Sequence, residues 1–147
     1  MAIKRQSVID DIKTALTGIT TGNGYYITVT NVYEYPTKPI ENNERPCLVI
    51  RDTTNQVVNE MHGNPNQLDK QLSITIECYT AYNASTPTNI RKMITDVEKA
   101  LGQVSKTNLN WIDLESDTIK MVQDEYIIGN AEINIKVFYR TSKFLES

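Results

Sequence analysis

The sequence predicts an α+β domain: a mostly antiparallel, mixed central sheet with two helices packed on one face. Three observations carry this. Residues 4–17 and 86–101 repeat apolar side chains at helical spacing. Segments such as LSITIECYT and AEINIKVFYR alternate apolar with polar, as half-buried strands do. The elements come in the order α-β-β-β-α-β-β, and two amphipathic helices suffice to cover one face of a sheet. At 147 residues, with no repeat and no linker-like stretch, the chain reads as one domain, 1–147.

In the first helix, Val8, Ile12, Ala15 and Leu16 form one stripe. Gly18 and the run TTGNG end it, because Gly adopts positive φ at little cost. Residues 25–33, YYITVTNVY, are β-branched and aromatic and predict the first strand. Two X-Pro pairs, Tyr35-Pro36 and Lys38-Pro39, then predict an extended loop over 35–46. Cys47–Asp52 predicts the second strand and 72–80 the third, paired antiparallel. On the third, Leu72, Ile74, Ile76 and Cys78 share one face.

The second helix has Thr86 as N-cap and Pro87 at its first turn, where a missing N–H costs nothing. Ile90, Met93, Ile94, Val97 and Leu101 are its stripe, and Gly102 ends it. Trp111, Ile112 and Leu114 fit either a short strand or a packed loop. A weakly alternating strand over 118–123 and a strongly alternating one over 131–140 complete the sheet.

Between the second and third strands lies a polar stretch, 53–71, TTNQVVNEMHGNPNQLDKQ. A structureless loop of that length is unusual in a compact domain. It predicts a protruding hairpin, with 56–58 and 67–71 extending the strands and Gly63-Asn64-Pro65 at the tip.

Composition excludes several functions. Hydrophobic residues make up 39% and charged residues 22%, a polar chain but not a disordered one. Net charge is −3, with no Lys/Arg run beyond two residues. A phosphate-gripping groove needs a dense basic stripe, so tight DNA binding is not expected. No stretch reaches the ~20 apolar residues that span a bilayer, so no membrane partner is expected. Cys47 and Cys78 sit in apolar runs and read as buried thiols. A disulfide between neighbouring strands is the alternative.

The candidate chemistry lies in the 53–71 stretch. Glu60, His62 and Asp69 would be the acid–base set of a small hydrolase or nuclease. The spacing matches no metal-ligand motif, and Glu132 and Lys136 miss the Glu-x-Lys spacing of nucleases. No cofactor is expected and the protein reads as a non-enzyme. Apolar groups outside the expected core are the stronger signal: Val57, Val58 and Met61 in the loop, Phe138 on the polar side of the last strand, Phe144 and Leu145 in the tail. They either fold back onto the domain or form contact surfaces.

Taken in order, the helix SVIDDIKTAL, the segment GYYITVTNVYEYP, the strand RPCLVIRD, the polar loop, LSITIECYT, TNIRKMITDVEKAL and AEINIKVFYR resemble the tail-terminator (tail-completion) proteins of long-tailed bacteriophages. The resemblance is one of pattern and covers nearly the whole chain. It implies a structural virion protein forming a homo-hexameric ring that caps the tail tube, stops its polymerisation and offers a docking surface to the head–tail connector protein. DNA would pass through the lumen without specific binding. The localisation implied is the tail or neck of the virion, assembled in host cytoplasm. On this reading Val57, Val58, Glu60, Met61, His62 and Asp69 face the tube or lumen. Phe138, Arg140, Phe144 and Leu145 face a neighbouring subunit or the connector. A head–tail connector, or joining protein, is the alternative.

Overall fold

The computed structural model describes residues 3–60, 67–80, 86–123 and 127–142. Helices α1 (Lys4–Thr17) and α2 (Thr86–Leu101) flank a sheet of β1 (Asn31–Glu34), β2 (Cys47–Glu60), β3 (Gln67–Tyr79), β4 (Trp111–Gln123) and β5 (Ile127–Ser142). The spatial order is β1-β2-β3-β5-β4. β1 runs parallel to β2, and every other pair is antiparallel. The fold is α+β, in the element order that the sequence predicts.

Both helices lie on one face. Val8, Ile12 and Leu16 of α1 and Ile90, Met93 and Val97 of α2 close one core with Leu48, Ile50, Leu72, Ile74, Ile76, Ile133, Ile135 and Val137. Alternation along β3 and β5 makes this possible: the inward residues of 72–78 and 131–139 are buried, and the outward ones between them, Phe138 included, are half-buried. Core burial on this scale supplies most of the driving force for folding.

The first strand is shorter than predicted. Residues 25–29 leave the sheet, and three of their donors are taken elsewhere. The amides of Tyr26 and Ile27 donate to the buried carboxylate of Asp96 on α2, each at 3.0 Å. The amide of Val29 donates to the Ile19 carbonyl at 3.0 Å. A backbone donor satisfied by a side chain is no longer available to a ladder. Gly24, at φ +89°, makes the turn that delivers the segment, and Lys99 Nζ donates to its carbonyl at 3.1 Å.

The 35–46 loop, which contains a short 3₁₀ turn at Asn42–Glu44, lies against the outer face of the sheet. Arg45 stacks over the Tyr79 ring at 5.2 Å and Arg51 over Tyr35 at 5.5 Å. Cys47 and Val49 belong to the outer register, yet both are fully buried. Cys78 is in register with Leu48 and Cys47 with Tyr79, so the thiols point to opposite faces and are free. That geometry excludes the interstrand disulfide. Burial pushes the Cys47 thiol up to about 11 and drives Cys78 further upward.

The remaining strands are longer than predicted. β2 continues through 53–60, with irregular register at 52/55 and 57/59, and β3 begins at Gln67. The long loop is therefore mostly hairpin, as the extension of 56–58 and 67–71 anticipates. Trp111, Ile112 and Leu114 open a thirteen-residue strand rather than a loop.

Candidate assembly surfaces

The hairpin is wider than two strands. β5 pairs with β3 out to Gln67↔Ser142, so three strands extend together beyond Asp52. From Asp52 to Glu60 the reach is roughly 20–25 Å at 3.3 Å per residue. Arg5 of α1 holds the base of this projection through Asp52 at 2.6 Å. Val57 and Val58 are 55% and 46% exposed on it. Inside the projection, Asn55 donates to the hydroxyl of buried Tyr139 at 2.7 Å.

Two predicted groups meet here. Arg140 Nε donates to Asp69 Oδ1 at 2.8 Å across β5 and β3, and this hydrogen bond raises the Arg140 pKa further. β5 and the hairpin strand β3 are thus tied side chain to side chain at this level. Glu60 is in register with Leu68, and Asp69 with Asn59. Positions 60 and 69 therefore fall on opposite faces of the ladder. Met61 and His62, with the tip at 63–65, lie outside the described residues, as do Phe144 and Leu145.

The second surface is the outer face of the sheet. It is a lattice of side-chain partners, most of them cross-strand. Arg51 and Tyr79 both donate to Glu77 Oε1, at 2.8 and 3.2 Å. Thr75 donates to Asn134 at 2.9 Å, and Asn134 to Ser116 at 3.1 Å. Lys120 meets Glu132 and Lys136 meets Glu115, each at 2.8 Å. Burial, and then Glu77, push the Tyr79 hydroxyl up to about 12. At the margin of this face Phe138 stacks on Trp111, with centroids 4.8 Å apart and planes 22° apart. Trp111 is 51% exposed.

Trp111 is the residue that sequence reasoning missed. A signal was present: WIDL alternates apolar with polar, as an edge strand does. The lone Trp and the lone outward Phe form one aromatic patch, since Trp111 and Phe138 are direct ladder partners.

Among the described residues no group of three or more His, Cys, Asp or Glu could hold a metal ion. No helix among them is long and apolar enough to cross a membrane. Neither a protein-family model nor a curated protein matches this chain.

Proposed function

We propose that this chain is a structural protein of a bacteriophage tail, resembling tail terminators. Copies of it close a hexameric ring on the end of the tail tube, stop further polymerisation and present a surface to the head–tail connector. Its place is the tail or neck of the virion, and it performs no catalysis.

The observation that carries the reading is the three-stranded projection. The core runs along β3 and β5 out to Leu72, Val137 and Tyr139, past the Arg5–Asp52 contact, and β2, β3 and β5 continue further still. They end in exposed Val57 and Val58 beside a charged Asp69–Arg140 pair. Apolar groups rimmed by charge suit a protein contact better than a solvated turn. A cyclic ring also needs two different patches that meet between neighbours. Exposed Val57 and Val58 near the end of the projection, and the Trp111–Phe138 stack at its root, where Phe138 is level with Gln71 and Gln56, are the candidates. The net charge of −3 suits a lumen through which DNA slides without sticking.

The test is a capping assay. Growing tail tubes of the same phage are mixed with the full chain, and with a variant in which residues 56–68 are replaced by a two-residue turn. The full chain is expected to fix tube length and the variant to leave tubes growing, both having the same circular dichroism. Normal capping by the shortened variant would sink the role assigned to the projection.

A further inference from the structure

The protein is buried in two places by different chemistry. Under the helices the core is closed by Ile, Leu, Val and Met. Within the projection Leu68, Tyr139 and Thr141 are buried as well. Leu68 is in register with Thr141, two residues beyond Tyr139 on the same face of β5. This smaller core is largely polar, and it is not fully satisfied. Asn55 Nδ2 donates to the Tyr139 hydroxyl at 2.7 Å, but Asn55 Oδ1 and Thr141 Oγ1 are buried with no hydrogen-bond partner among the described residues. A buried polar atom left without a partner is destabilising, and an apolar group of the same shape in its place is neutral or better.

The strand that carries Asn55 is also the irregular one. β3 and β5 pair without a shift from Gln67↔Ser142 to Tyr79↔Asn130. On β2, three steps from Asp52 to Asn55 oppose two from Ile74 to Leu72, and two steps from Val57 to Asn59 oppose one from Lys70 to Asp69. Each extra residue is a bulge, and moving a bulge by one position turns the residue it passes to the other face. On its far side β2 pairs with β1 only over 47–50. Arg5 and the Tyr35 hydroxyl, which donates to the Asp52 carbonyl, hold β2 at Asp52. Beyond that point the limb lies on an unbroken two-stranded support with two bulges free to move along it.

We propose that residues 53–60 are a poised limb. In the free chain they pack on β3 in a register that leaves Asn55 and Thr141 short of partners, and on docking to the end of the tail tube they shift into one that supplies them. The tail reading enters only as the identity of the docking partner. A partner that selects the shifted form binds more weakly in proportion as the free form is stabilised.

The test is Thr141→Val, which removes the orphan hydroxyl and keeps the shape of the side chain. Hydrogen exchange by NMR on the full chain reads the projection, and co-pelleting with purified tail tubes reads docking. Amides of 55–57 and 68–72 should exchange about tenfold more slowly than in the parent. Tube affinity should fall by about the same factor or more. Thr141→Ser, which keeps the hydroxyl, should show no slowing. Two results would overturn the proposal. Faster exchange in Thr141→Val would mean that the hydroxyl already has a partner, such as a trapped water. Slower exchange with unchanged tube affinity would mean that the free packing is the docked one. A parent chain that pelleted with no tube would sink the tail reading instead, with the exchange comparison still deciding whether the free packing is unsatisfied.

Discussion

Ile74, Ile76, Ile133 and Ile135 on the helix side of the sheet are shut off from solvent, and their immediate neighbours Thr75, Glu77, Asn134 and Lys136 on the other side are half-exposed. The same strands thus build two different surfaces from alternate residues. The helix side is held by volume, with α1 and α2 filling the space above it. The outer side is held by pairs, each bond running sideways to the next strand. Volume is hard to replace, because a cavity keeps its cost. Pairs exchange readily with water or with a partner's groups, so the outer side can be committed to contacts without endangering the fold.

That contrast can be broken most sharply on the helix side. Leu101→Ala and Ile76→Ala should each cost about 2–5 kcal/mol in urea denaturation. A loss as small as that of a surface change would mean that the core is not where the helices place it. Next is Asp96→Ala, which removes the acceptor for two backbone amides. About 1–3 kcal/mol should go, with protection of the Tyr26 and Ile27 amides lost in hydrogen exchange. If those amides stay protected, the segment is held by something other than α2.

Effects should be smaller on the outer side. Phe138→Ala removes the stack on Trp111 and should cost about 0.5–1.5 kcal/mol beyond the area lost. Its effect on ring formation should be greater than its effect on melting; the reverse would make the patch a piece of core. Lys120→Ala should fall within about 0.5 kcal/mol of the parent. The finest comparison is between the two thiols. Both have raised pKa values, so at pH 8 each is even less ionised than a free thiol and should react slowly with a disulfide reagent. Cys47, under the 35–46 loop, should react before Cys78, under the helices. Equal rates would mean that the two faces open together.

Much of this fold was legible in the sequence, for a definite reason. Residues 72–78 and 131–139 alternate, with Phe138 the exception on the outward side, so their inward sets could be named, and all are buried. The two helical stripes were equally clear. Longer-range pairing was not. YYITVT has the composition of a strand, but Asp96, seventy residues away, takes its amides. Strand composition is a weaker instruction than a buried acceptor. β4 hides because it is an edge: with few residues to bury, its alternation is faint, and a register shift after Leu114 interrupts it. Of the surface residues, Val57, Val58 and Phe138 could be read as apolar groups outside the core. The Asp69–Arg140 and Trp111–Phe138 pairs could not, since each joins strands whose register no local pattern specifies.

The measurement that bears most directly on the account is the mass of the purified full chain by light scattering, with negative-stain images of the same peak. The account predicts six chain masses and six-fold rings with an open centre. A monomer at every concentration tested, with no ring in the images, would contradict it.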